Sequence, residues 1–434
     1  MIFFLSVCVR EWQDDVVFDI SDSSVSVLDV LSKNVKLSPG SLPNSIENIS
    51  ICSSFNAHVL PNSVKTMTVD CHNQEFLPGL FPHSLESLTL YMYDNPLMEH
   101  SLPHNLKSLH LGTYHAEPHR VDIGNLPRSL ETIQFHYSFA EQIENIPILS
   151  QFQRLTTLIG CHFEWIGSLP PSVTTLRFTT CYLNSEYIKP GAIPSTITDL
   201  DFGGMRYFNL QPGSIPSSVS KLSLGYFEHS LEPGVIPIGV IYLDLSHAAR
   251  DFSAESIPNT VESLKYLNYS YSEESKFLGI LSLPSIKKLF FYADIKISIF
   301  PPYLESLKLS GNGVPLLYSS LPPTLKKLSL NKILFVKDTL NETPNQPKRL
   351  LMKVGQSYFN NSTLEDLPLS VEIIKIHLNI ELRRFNKSTT FIGYNREYPI
   401  SGGFIKSTYN LRDLIYDKEF DKCVNNDKIS TIIK

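Results

Sequence analysis

Apolar and polar positions along this chain fall into short alternating bursts rather than helical stripes. One ten-residue pattern recurs: apolar, Pro, variable, usually Ser or Thr, aliphatic, two variable positions, then apolar, variable, apolar. It reads LPNSIENISI at 42, LPNSVKTMTV at 60, FPHSLESLTL at 81, LPHNLKSLHL at 102 and LPRSLETIQF at 126. It continues as LPPSVTTLRF at 169, IPSTITDLDF at 193, IPSSVSKLSL at 215, IPIGVIYLDL at 236 and IPNTVESLKY at 257, and closes with FPPYLESLKL at 300, LPPTLKKLSL at 321 and LPLSVEIIKI at 367. Degenerate units lie near Pro147, Pro284 and Pro347, the last two shortened by one residue.

The final triplet has the period of two of a half-buried strand, so Leu88 and Leu90, or Leu222 and Leu224, point inward together. One such strand cannot bury its apolar side alone. Neighbours stacked at about 4.8 Å make a parallel ladder with a continuous core. Most successive prolines are 20 to 24 residues apart, the period of leucine-rich repeats, and LESLKLSGN, ending at Asn312, fits the LxxLxLxxN pattern in full. The expected fold is a repeat solenoid: a leucine-rich-repeat-like stack of about sixteen coils, with a parallel β ladder and irregular or short helical connections. Proline presets φ and suits the first central position of a turn, and the Ser or Thr two residues on is expected to bond to local backbone. A second turn precedes the first. PGSLP at 39, PGLFP at 78, PGAIP at 190, PGSIP at 212 and PGVIP at 233 place a glycine three residues before the anchoring proline, where φ is free to be positive.

Upstream of one of these turns lies YFNLQPGSIPSSVSKLSLG, residues 207–225. Here the chain resembles the FNIP-repeat family, over about residues 39–376 and most closely over 186–246. Phe55-Asn56 and Phe359-Asn360 keep the dipeptide, while most units lack it. The resemblance implies a solenoid used for protein interaction. It also implies an alternative, a substrate-recognition adaptor of a ubiquitin ligase with a divergent N-terminal docking module, because some members carry an F-box ahead of the repeats; others carry unrelated catalytic modules.

The expected organisation is an N-terminal cap over residues 1–38, the solenoid over 39–376, and a C-terminal cap with a polar tail over 377–434. Residues 16–38 alternate Val, Ile and Leu with Ser, Asp and Lys, a strand pattern without the helical period of an F-box. The start, MIFFLSVCV, has no basic residue and no small-residue cleavage site, and no apolar run reaches the length of a membrane span. Six cysteines without a CxxC fit reduced thiols. These features point to a cytoplasmic protein that does not engage a membrane.

No P-loop, GxGxxG, GxSxG or HExxH motif occurs, nor does the protein-kinase signature set. The chain reads as non-catalytic, with no cofactor and no small-molecule substrate. Seven histidines (His83, His100, His104, His110, His115, His119 and His136) cluster in sequence. His83 and His104 should stack on adjacent coils, but a zinc site needs three or four converging ligands, and loop histidines are the expected reading.

Charge sharpens the picture. The net of −6 hides an asymmetry: residues 1–286 hold 15 Lys+Arg and 29 Asp+Glu, whereas 287–353 hold 11 and 4. An acidic chain argues against a general nucleic-acid binder. The variable residue between the two inward ones should face the open side of the sheet, the concave binding face of such solenoids. Along the ladder this position reads Ser50, Thr68, Thr89, His110, Gln134, Arg177, Asp201, Ser223, Asp244, Lys265, Lys308, Ser329 and Lys375. Lys265, Lys308, Lys327 and Lys375 are therefore the candidate partner-binding residues, a basic strip that would steer an acidic protein.

Overall fold

The structure is a computed structural model. It describes residues 5–9, 19–21, 24–33, 35–70, 74–91, 95–112, 120–136, 143–179, 182–248, 252–267, 279–292, 299–336, 347, 350–354, 371–376, 380–384, 389–394 and 401–406. The chain divides into two compact units, Met1–Val219 and Ser220–Lys434. In the first, the strands Leu5–Val9, Val25–Val30, Asn48–Ile51, Thr66–Asp70, Ser87–Tyr91, Ser108–Leu111, Thr132–Phe135, Thr157–Cys161, Thr175–Phe178 and Asp199–Asp201 each pair in parallel with the next. In the second, the parallel rungs are Lys221–Ser223, Tyr242–Asp244, Ser263–Leu267, Lys288–Tyr292, Ser306–Leu317, Lys327–Val336, Leu350–Val354 and Val371–Ile376. Three antiparallel strands follow, Ile380–Arg384, Thr389–Tyr394 and Ser401–Lys406. Connections are turns and short 3₁₀ segments such as Phe163–Ser168. Each unit is thus a parallel β-solenoid with little helix, as the repeat requires.

Five apolar positions per coil build the core. Counted from the anchoring proline, they lie one residue before it and three, six and eight after it, and also six before it. The residue three after is the deepest: Ile46, Val64, Leu85, Leu106, Val219, Val240 and Val261 are all fully buried. The position six before is filled by Leu37, Phe55, Phe76, Leu97, Ile188, Leu210, Leu231 and Phe252, all buried. Phe55 therefore occupies the place of Leu210, not that of Phe208, so the two Phe-Asn dipeptides stand two residues out of register. Phe208 belongs to a small separate parallel sheet of Tyr182–Tyr187 and Arg206–Asn209, and it packs on Phe202 with ring centroids 5.0 Å apart.

The turn chemistry differs from the sequence expectation in two respects. The amide of the residue three after the anchoring proline donates to that proline's own carbonyl, as in Ile46 to Pro43, Leu85 to Pro82 and Val261 to Pro258. Proline therefore opens the turn as its first residue instead of filling the first central position. The second difference is in the hydroxyls, which reach across coils rather than to local backbone. Ser45 donates to the Val25 carbonyl at 2.7 Å, Ser84 to Val64 at 2.7 Å, Ser129 to Leu106 at 2.7 Å, Ser218 to Ile197 at 2.7 Å, Thr260 to Val240 at 2.9 Å and Thr324 to Leu304 at 2.8 Å. Each acceptor is the buried aliphatic residue of the coil before, or the equivalent rung residue. The hydroxyl thus satisfies a carbonyl that has left the ladder, a net contribution of about 0.5–1.5 kcal/mol each.

The Pro-Gly turns match expectation. Amide-to-carbonyl bonds close Ser38–Ser41, Lys189–Ala192 and Glu232–Val235, with φ of +84° at Gly40, +79° at Gly191 and +85° at Gly234, the conformation of a type II turn with Pro and Gly at its centre. His58 and His100 stand at the same place in their coils with φ of +66° and +63°.

Just before the strands, charges alternate from coil to coil over part of each unit. Glu47 pairs with Lys65 at 3.0 Å and Glu86 with Lys107 at 3.0 Å in the first unit; Glu262 pairs with Lys287 at 2.6 Å and Glu305 with Lys326 at 3.0 Å in the second. These half-exposed pairs add little stability individually, about 0.2–1 kcal/mol. Their alternation does favour this stacking order, since like charges would meet in a slipped one.

Candidate protein-interaction face

Because the inward residues of each strand are apolar, the residue between them is forced to the open side. In the second unit that side is held in strict register. Asp244, Lys265, Phe290, Lys308 and Ser329 are successive partners across the ladder, and Lys353 and Lys375 are partners further along. Three of the four lysines marked in the sequence, Lys265, Lys308 and Lys375, thus lie in one row. Lys327 lies in the flanking row, in register with Ser263, Lys288 and Ser306, two residues before Ser329 and so on the same face.

The lysines are not equivalent. Lys265 Nζ is 2.9 Å from Asp244 Oδ2, with both side chains largely covered. Asp244 also accepts from the Ser246 amide and hydroxyl, so the carboxylate is fixed and most of the Lys265 charge is compensated. Lys308 Nζ stands 4.2 Å from the centroid of the Phe290 ring, and Lys265 Nζ stands 5.9 Å from it. The ring lies between two ammonium groups, one rung to either side. The paired lysines at 287–288 and 326–327 separate in the same way. Lys287 and Lys326 pair with Glu262 and Glu305 before the strand, while Lys288 and Lys327 are exposed on the open face.

The equivalent row of the first unit runs Asp29, Ser50, Thr68, Thr89, His110, Gln134, Ile159, Arg177 and Asp201. It carries no lysine: Asp29 stands at one end, and at the other Arg177 Nε meets Asp201 Oδ2 at 2.7 Å. Partial burial lowers the pKa of His110, and His136 nearby lowers it further; burial also lowers that of His136. Tyr91 meets His110 edge-on at 5.7 Å. His83 and His104 are neighbours on adjacent coils, as their spacing implies, with ring centroids 5.8 Å apart and the rings tilted by 54°. His115 and His119 lie outside the described residues. Among the described residues no three His, Cys, Asp or Glu side chains are grouped to hold a metal ion. No described helix is long and apolar enough to cross a membrane.

The sequence pattern left Phe290 and Lys288 out of the outward row, and it placed Asp244 and Lys265 there without pairing them. Phe290 lies in the coil that Pro284 opens one residue short; allowing for that deletion, Leu289 and Phe291 are the inward residues and Phe290 the outward one.

The FNIP Repeat family model matches residues 57–92, 72–114, 93–138, 183–227 and 208–248. The chain carries FNIP repeats over those segments. It is also similar to a protein of Dictyostelium discoideum named as the probable serine/threonine-protein kinase fnkB, with 28% identity over 240 residues, 53% of this chain and 39% of that relative. The chain therefore spans about two-fifths of the length of the curated relative it matches. One tripeptide in this FNIP-repeat chain, Asp201-Phe202-Gly203, spells the DFG that holds magnesium in protein kinases. Its geometry here is that of a strand end: Asp201 holds Arg177 and accepts from the Gly203 amide at 2.8 Å, and Phe202 is fully buried. At Gly203, φ is +50° and a Cβ would stand 2.2 Å from the Phe178 carbonyl oxygen, so packing between coils alone accounts for the glycine.

Proposed function

We propose that this protein is a non-catalytic interaction platform whose second unit binds an acidic protein partner through Lys265, Lys308, Lys327 and Lys375. The observation that carries the reading is the in-register placement of the lysines on a face bearing, over residues 263–331, no described carboxylate. Lys308 contributes most. It has no acidic partner among the described residues, and the Phe290 ring restrains its ammonium, so less side-chain entropy is lost when an anion docks. Lys265 contributes position more than charge, being held by Asp244.

Kinase activity is named for the relative and is not carried over, since the matched segment is the lesser part of that protein and the present DFG is a strand end. The adaptor alternative draws no support from the fold: Leu5–Val9 and Val25–Val30, within the segment that would dock, are rungs of the parallel ladder.

The test is affinity purification with quantitative mass spectrometry, comparing the intact chain with its Lys308→Glu/Lys327→Glu variant. Acidic proteins retained by the former in a salt-sensitive manner and lost by the latter are the expected outcome. An identical set of captured proteins would show that the lysine face only keeps the solenoid soluble.

A further inference from the structure

Alternation along each rung normally leaves polar side chains on the open side. In the second unit the rule lapses over two adjacent rungs: Leu267 and Tyr292 are register partners, and Phe290 stands two residues from Tyr292 on the same face. All three are half-buried. Around them stand Lys265, Lys288, Lys308 and Lys327, with Ser263, Ser306, Ser329 and Asn331 completing the rim. An apolar centre inside a polar, hydrogen-bonding rim is the anatomy of a protein-binding patch, and here the rim has one sign of charge.

We infer that the segment docking on this face is an acidic peptide stretch carrying an aromatic side chain, with the ring seated on Leu267, Phe290 and Tyr292 and the neighbouring carboxylates on Lys288, Lys308 and Lys327. This rests on the acidic-partner reading and specifies what that partner must present. Charge complementarity sets the acidic character. The aromatic character follows from how Phe290 is held. Ammonium groups at 4.2 and 5.9 Å lie against the ring from the two neighbouring rungs, so its edge is what faces a ligand. A ring edge carries partial positive charge and takes the face of another aromatic ring in a T-shaped contact. The same occupancy argues against a single-stranded nucleic acid, whose bases need an uncovered π-face on which to stack.

The experiment measures binding of the full chain to three fluorescent polyanions of matched charge: poly-glutamate, a random Glu/Tyr copolymer and an oligothymidylate. The copolymer should bind about tenfold more tightly than poly-glutamate, and that advantage should persist as salt rises while the shared electrostatic part fades. Phe290→Ser should reduce the copolymer to the poly-glutamate level, and Leu267→Ser should do so in part. Lys308→Glu should weaken both. Equal binding of the two polypeptides would overturn the aromatic inference and leave the acidic-partner reading standing. Binding of neither would overturn both. Oligothymidylate bound as tightly as the copolymer would overturn both in favour of an indiscriminate anion surface. Circular dichroism of each variant, together with the retained poly-glutamate binding of Phe290→Ser, separates loss of the patch from loss of the fold.

Discussion

Between residues 48 and 136 the open side of the sheet offers Ser50, Thr68, Thr89, His110 and Gln134; between 263 and 331 it offers Lys265, Phe290, Lys308 and Ser329. Beneath these rows the two regions are built alike. Leu109 and Leu307 occupy the same place in their rungs and are both fully buried. Both regions carry the cross-coil hydroxyl bond and the alternating Glu/Lys pairs. Chemistry therefore varies only where packing leaves the residue unconstrained, and the difference between the rows is a difference in what can dock. The largest expected effect tests that sameness. Leu109→Ala and Leu307→Ala should each cost about 2–5 kcal/mol, the transfer loss plus a cavity that a stacked coil cannot collapse. Urea unfolding of each variant reads the two costs. A loss below about 1 kcal/mol at one site would mean that the two ladders do not share one core.

Next in size is the contrast in surface charge. Lys308→Glu should weaken poly-glutamate binding by about tenfold or more, close to 1.4 kcal/mol, whereas Gln134→Glu, placed equivalently in the first unit, should change it little. Comparable losses from both would show that net charge, not the second unit's row, attracts the anion.

The sequence made the ladder visible because proline and the deepest aliphatic residue recur at fixed spacing, and stacking turns fixed spacing into register. It misled at the hydroxyls. A Ser two residues from a proline looks local, and its real acceptor lies about twenty residues back, brought near only by the coil (Ser45 to Val25, for example). It was also silent on charge pairing. Lys287 and Lys288 are adjacent letters, yet one meets Glu262 and the other is exposed on the open face. Periodicity assigns faces; it does not say which neighbour a long side chain reaches.

A smaller effect, because both rings keep contact with water, separates the units by pH. His110 and His136 have pKa values below the ordinary histidine value, while the unfolded chain titrates near 6.5. As pH falls through 6.5 the unfolded state takes up protons that the folded state does not, so their stabilisation is present above that pH and is lost as pH falls through the folded pKa. Tyr91 meets His110 edge-on, Gln134 is its register partner, and His136 adds a like charge when protonated. His110→Gln should flatten the loss of stability between pH 7.5 and pH 5, compared with the unaltered chain by urea midpoints. An unchanged slope would place the acid sensitivity elsewhere.

The smallest effect concerns the turn that both units share. Gly234 in the second unit and Gly79 in the first have φ of +85° and +84°, whereas His100 takes the same turn position at +63°. An L-residue there pays a steric penalty of about 1–2 kcal/mol, which glycine avoids while losing about 0.5–1 kcal/mol of chain entropy on folding. The His100 side chain is 82% exposed and only approaches the equally exposed Glu99, so little holds it in place. His100→Gly should then stabilise the first unit by a few tenths to about 1 kcal/mol, the difference of those two terms. Gly79→Ala, whose new Cβ would meet nothing within 4 Å, should destabilise by a similar amount through backbone strain alone. Opposite shifts of the two urea midpoints would show that the turn selects glycine for its backbone. If His100→Gly instead lowered the midpoint, the imidazole would have to be holding the turn by a contact of its own, and the equivalence of the two positions would fail.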